Sequence, residues 1–170
     1  MRSIMAMLRP RGADAASLYD ALVAEARRPG WYVEGGVADS LDGRFAVLSS
    51  LVALAILRLE SGGEAAVRAS VALTEAFIAD MDAQMREAGF GDPGLGKQVR
   101  WLVGALASRV DRWRRTIAED AGWEEAVRAT IHRDLPVGEA AATYAAEQMR
   151  RVHETLGGAS DEAMIAGQWR

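Results

Sequence analysis

Residues 39–60 read Asp39-Ser40-Leu41-Asp42-Gly43-Arg44-Phe45 and continue as AVLSSLVALAILRLE to Glu60; this stretch decides the fold class. Phe45, Leu48, Val52, Ala55 and Leu59 recur at intervals of three and four, which places them on one face of a helix. Val47, Leu51 and Leu54 form a second apolar face beside it. A helix apolar on two sides is either central to a core or partly offered to a partner. Ser49 and Ser50 interrupt the run, and Arg44 and Arg58 close it. It falls short of the roughly 20 apolar residues that a membrane-spanning helix needs.

Helical signals continue on both sides. Upstream, a helix is expected from near Asp14 to Arg28, capped by Asp14 or Ser17, with Leu18, Leu22 and Ala26 as its stripe and Pro29-Gly30 as its stop. An ordered loop, Trp31 to Gly36, follows. Downstream, Gly62-Gly63 precedes a helix over about Glu64 to Ala88, with Val67, Val71, Thr74, Ile78, Met81 and Met85 inward and Gly89 as its C-terminal cap. A fourth helix, running to about Glu119, turns Val99, Leu102, Leu106, Val110, Trp113 and Ile117 inward. Shorter helices are expected over Trp123–Asp134 and Val137–Leu156. Neither strand alternation nor a repeat is present. The sequence therefore predicts an all-α, single-domain irregular or orthogonal bundle of about six helices. Residues 1–13 are expected to be a flexible N-terminal segment, 14–156 the helical domain, and 157–170 a tail with a short helical turn.

Composition narrows the chemistry. The 170 residues suffice for one core, and aromatic residues make up 6 %. A net charge of −4 with both signs interspersed argues against a DNA-binding protein. The absence of cysteine removes disulfides, thiolate nucleophiles and cysteine-ligated metals. Met1 to Arg11 lacks the apolar core and small-residue cleavage site of a signal peptide.

Gly91, Gly96 and Lys97 fit the opening of a phosphate-binding loop, but Gln98 stands where a magnesium-holding Ser or Thr is needed, and a helix precedes it in place of a strand. His132 and His153 lie on different helices, outside any metal-binding spacing, and are expected to support a helix dipole or face water. Asp80 and Asp82 point about 200° apart on a helix and cannot converge on one atom. No nucleophile elbow is present, so the residues offer no catalytic group, metal site or cofactor. Lys97, Arg100, Arg109 and Arg112, with Arg114 and Arg115, form a basic face on the fourth helix that is either solvated and paired with Asp111 and Glu119 or an RNA, lipid or acidic-protein surface.

Three segments resemble the ubiquinol–cytochrome c chaperone family in its compact bacterial form. The first is Leu18-Tyr19 through Ala26-Arg27-Arg28-Pro29 to Trp31-Tyr32. The second is Gly36-Val37-Ala38-Asp39-Ser40-Leu41-Asp42-Gly43-Arg44-Phe45, with Ala38 where the family has proline. The third is Asp80-Met81-Asp82 through Arg86-Glu87 to Gly89-Phe90-Gly91-Asp92, with Gly94, Gly96 and Lys97. The resemblance implies a non-enzymatic assembly factor of the cytochrome bc1 complex that binds newly made cytochrome b, a hydrophobic multi-span client, at the cytoplasmic face of a bacterial inner membrane. A ribosome or a small partner protein, and peripheral membrane contact, are compatible with it. From Val137 onward the sequence has no counterpart in these motifs. The loop before the second helix, its first turns and the Asp82 region are then the expected client surface, with Trp31, Tyr32, Asp39, Arg44, Phe45 and Asp82 as its residues. A ribosome- or RNA-associated factor using the basic helix, and a haem-handling protein using His132 or His153, are the alternatives.

Overall fold

The computed structural model describes residues 15–89 and 95–170. The expected N-terminal segment, the Asp14 cap and Gly91 lie outside them. Seven α-helices are described: α1 (Ala16–Ala26), α2 (Leu41–Glu60), α3 (Glu64–Glu87), α4 (Leu95–Glu119), α5 (Trp123–Thr130), α6 (Glu139–Gly158) and α7 (Asp161–Ile165), with a 3-10 turn over Pro29–Trp31.

The two apolar faces of α2 resolve in favour of a central helix. It packs against α1, α3, α4 and α6, and Val47, Leu51, Val52, Ala53 and Leu59 have no exposed surface. Its surplus apolar area is therefore largely consumed inside the protein, except at its first turn. Ser40 begins the helix by accepting a hydrogen bond from the Gly43 amide at 3.1 Å, the expected role of a serine at this position. The two buried serines satisfy themselves locally. Ser49 Oγ donates to the Phe45 carbonyl at 2.6 Å and Ser50 Oγ to that of Ala46 at 2.9 Å, so neither leaves an orphaned hydroxyl in the core.

The face of α3 differs from the expectation. Val67 and Val71 are 43 % and 58 % exposed, whereas Ala66, Ala69, Leu73, Phe77 and Met81 are buried. Leu73 and Phe77 anchor the helix, and stepping back from Leu73 by four and seven positions lands on Ala69 and Ala66. A stripe chosen by side-chain size alone missed these alanines, whose small volume lets α3 lie close to α2. On α1, Ser17 is not the cap; the N-cap position is Ala15, with no side-chain hydrogen bond.

Residues 157–170 send two side chains, Met164 and Trp169, into the core. Met164 has no exposed surface and Trp169 is 4 % exposed, while α7 packs on α3 and α1. At its start, Asp161 accepts from Arg58 at 2.9 Å and from the Gly63 amide at 2.8 Å, joining α7 to the turn between α2 and α3. These bonds hold the Asp161 carboxyl below its ordinary value of 3.8, the amide contributing first and Arg58 next. A folded-state pKa below the unfolded one contributes stability above the unfolded pKa, which is lost as pH falls through the folded value. Asp161→Asn is thus expected to be less stable than the parent at neutral pH. The gap should close in acid below the ordinary carboxylate range, as urea titrations at several pH values would check; a gap that persists unchanged in strong acid would contradict the assignment.

Candidate functional site: an apolar groove at the start of the central helix

The groove begins with how the loop after α1 is held. The last carbonyls of a helix lack intrahelical donors, and here two aromatic side chains supply them. Trp31 Nε1 donates to the Glu25 carbonyl at 3.0 Å, and the Tyr32 hydroxyl to that of Ala26 at 2.7 Å. Trp31 is accordingly 2 % exposed: it lies beneath the expected client surface as its support, not on it. Tyr32 is half-buried, and burial pushes its hydroxyl above its ordinary pKa. Asp39 and Arg44, both 61 % exposed, form an ion pair at 2.8 Å that ties the loop to the first turn of α2.

One turn further, Phe45 sits at the junction of three elements. Its ring stacks on Trp101 of α4 with centroids 5.5 Å apart, meets Phe77 of α3 at 5.9 Å, and carries the Arg109 guanidinium 5.2 Å above its centroid. Trp101 itself is 53 % exposed and Leu41 is 37 % exposed. Large side chains left half in water beside a packed aromatic cluster are the raw material of a binding surface.

Around Phe45 the surface is hollowed. One hollow of about 80 Å³ lies between Leu41, Phe45, Met81, Met85 and Trp101. A neighbouring one of about 70 Å³ shares Leu41, Phe45, Met81 and Gln84, and reaches Val23, Tyr32 and Arg44. A shallower cleft of about 330 Å³ extends from Tyr32 and Arg44 to Arg27, Pro29, Val33 and Asp39. Each of the first two has room for one apolar side chain.

Tyr32, Arg44 and Phe45 thus line the groove, with Asp39 at one end. Asp82 does not: it pairs with Arg86 along its own helix at 2.9 Å. Asp80 reaches the groove instead, its carboxylate accepting from Tyr19 at 2.6 Å and Gln84 at 3.0 Å. Burial, then that hydrogen bond, raises the Tyr19 pKa well above its ordinary value. As groove residues, Leu41, Met85 and Trp101 are not singled out by the sequence, which places Met85 on the inward stripe of α3. The available signal was Trp101, a large aromatic standing off the Leu102–Leu106 core stripe of its own helix.

The basic face expected on α4 is not one surface. Lys97 and Arg100 are exposed, but Arg109 is largely buried, donating to the carbonyls of Ala105 and Thr130 at 3.1 Å each. Burial first and Arg133 second lower its pKa to about 10. Arg112 pairs with Glu125 at 3.3 Å and Arg114 with Glu60 at 3.0 Å, not with Asp111 and Glu119. The histidines also depart from expectation. His132 is 5 % exposed and its Nε2 donates to the Gly35 carbonyl at 2.8 Å, pinning the loop to the end of α5. His153 lies 5.7 Å from Trp123, and burial lowers its pKa. Among the described residues, no three His, Asp or Glu side chains gather as a metal site would require, and no helix is long and apolar enough to cross a membrane.

An all-helical bundle with a methionine- and tryptophan-lined groove and a charged rim has the anatomy of a protein-binding module. The model of the ubiquinol-cytochrome C chaperone family matches residues 33–170, and the chain belongs to that family. The match runs through the last residues, including the segment past Val137. The crystal structure of the Cbp3 homolog from Brucella abortus is similar, with a TM-score of 0.80 and 27 % identity over 91 % of this chain and 86 % of that one. No curated protein matches the chain.

Proposed function

We propose that this chaperone binds newly made cytochrome b and promotes assembly of the cytochrome bc1 complex without catalysing a reaction, at the cytoplasmic face of the inner membrane. The observation that carries this reading is the half-exposed Trp101 stacked on Phe45 over side-chain-sized hollows. A multi-span client offers apolar side chains before it is assembled, and hollows of this size hold such side chains one at a time. Methionines such as Met81 and Met85 adapt to different apolar shapes, as a chaperone for a varied hydrophobic surface requires. Tyr32, Asp39 and Arg44 supply the polar rim that keeps the groove hydrated when empty.

Deletion of the gene followed by assay of cytochrome b and intact bc1 complex tests the reading; normal levels of both would sink it. In cells carrying Trp101→Ala, bc1 content is expected to fall severalfold while the chaperone itself accumulates normally. Removing a half-exposed side chain leaves the core intact, but a tryptophan anchor typically carries about 2 kcal/mol or more of binding. Unchanged bc1 content in that strain would remove the groove from the client interface.

A further inference from the structure

The three hollows lie in a row. The shallow cleft and the middle hollow share Arg27, Tyr32 and Arg44; the middle hollow and the Trp101 hollow share Leu41, Phe45, Met81 and Gln84; the two ends share nothing. The row is polar in charge. Among the described residues, the Pro29 end holds Arg27 and Arg44 against the single carboxylate of Asp39, whereas at the Trp101 end the only charged lining residue is Asp42. The cationic end also retains unused donors. Arg44 engages Asp39 through Nε alone, and among the described residues Arg27 has no side-chain hydrogen bond or ion pair. The Arg44–Asp39 pair is exposed, so a competing carboxylate displaces it at little cost. Asp80, by contrast, is already engaged by Tyr19 and Gln84.

Two side-chain-sized hollows with a common wall require two anchors that are immediate neighbours in space. On a helix, that means residues three or four apart, whose side chains stand about 5–6 Å from each other. We infer that the groove recognises a short helical segment carrying two large apolar residues one turn apart and an acidic residue one further turn along, the apolar pair filling the hollows beside Phe45 and the carboxylate meeting Arg27 and Arg44. This rests on the client-binding reading above and specifies the segment of the client that the site takes.

Trp101 provides the measurement. The chain has five tryptophans, and Trp31, Trp113, Trp123 and Trp169 are each no more than 8 % exposed, so a blue shift of emission on binding reports Trp101. The full-length protein is titrated with 14-residue helix-forming peptides bearing Leu and Phe four positions apart and Glu one turn before or one turn after them. The same peptides with Lys in place of Glu serve as the comparison. One Glu peptide is expected to blue-shift the emission and to bind about tenfold more tightly than its Lys counterpart at low salt, the gap narrowing as salt rises. The double variant Arg27→Ala/Arg44→Ala should bind the two alike. Trp101→Phe should lose the shift yet still bind by calorimetry. Equal affinities of the Glu and Lys peptides for the parent protein, in both placements, would overturn the charge assignment. No binding by any peptide would overturn the two-anchor assignment. A blue shift produced by vesicles containing phosphatidylglycerol but by no peptide would overturn both in favour of a lipid surface. Each of these failures is distinct from that of the proposed function, which is decided by bc1 content in the deletion strain.

Discussion

Trp169→Ala should destabilise the protein by about 3–5 kcal/mol, as large-to-small changes at buried aromatic positions do. For a chain of this size that corresponds to a fall in melting temperature of roughly 10 °C. The residue lies in the stretch whose sequence suggests a tail with a short helical turn, yet it is 4 % exposed and part of the main hydrophobic cluster. Arg170 lies over its ring, 4.9 Å from the centroid, and also engages the Glu25 carboxylate. Glu25 is 2 % exposed and is met from the other side by Arg28 at 3.2 Å. Losing Trp169 therefore opens a cavity and also loosens the cation that neutralises a buried carboxylate. Arg170→Ala should cost less, because the arginine is half-exposed and Arg28 remains. Thermal and urea melts of the two variants check both statements. A Trp169→Ala protein within 1 kcal/mol of the parent would show the C-terminal segment to be dispensable to the fold.

The second large effect is expected at Gly43. A Cβ there would lie 1.9 Å from the Ala38 carbonyl oxygen and 3.0 Å from its carbon. Both are backbone atoms, so no rotamer change relieves the clash, and the loop before α2 must move. Gly43→Ala should cost about 2–3 kcal/mol, near the top of the range for overpacking. Its second consequence falls on the groove: Asp39, Leu41 and Arg44 all flank the contact, so client binding should weaken together with stability. Gly104→Ala is the matched control. It lies within α4 with no described atom beyond its own helical turn inside 4 Å of the added carbon, and alanine there should stabilise by about 0.5–1 kcal/mol. A Gly43→Ala protein as stable as the parent would mean the loop has slack that the packing does not show.

The Gly43 contact also marks what was legible in the sequence. Helix number and order followed from the punctuation by Pro29-Gly30, Gly62-Gly63 and Leu135-Pro136, because chain stops are local. The two apolar faces of α2 leave open whether the helix is central or offered to a partner, and its packing against α1, α3, α4 and α6 decides it. Facing was harder. The α3 stripe was misplaced because alanines carry little hydrophobic signal although they permit the closest helix approach. Residues 157–170 read as a tail because a lone tryptophan near a terminus has no periodicity, and the segment packs on α3 and α1, far away in sequence. The lining of the groove is legible in the sequence only in part, for the same reason. Tyr32, Arg44 and Phe45 are neighbours in sequence and in space, so they were found together. Trp101 joins them only through the crossing of α4 over α2. The motif places Asp80 and Asp82 together, whereas helix rotation decides that Asp80 reaches the groove and Asp82 pairs with Arg86.

The ion pair between Glu25 and Arg170 spans 145 positions. During synthesis at about 5–20 residues per second, that separation is an interval on the order of 10 s in which α1 has emerged but its buried carboxylate lacks its distant cation. The described residues lining the groove fall between Val23 and Trp101, so this part of the groove is complete in sequence long before Arg170 is added. The groove residues thus leave the ribosome before the arginine that fastens α1, and a product truncated ahead of Arg170 would carry the groove on a scaffold that lacks this fastening.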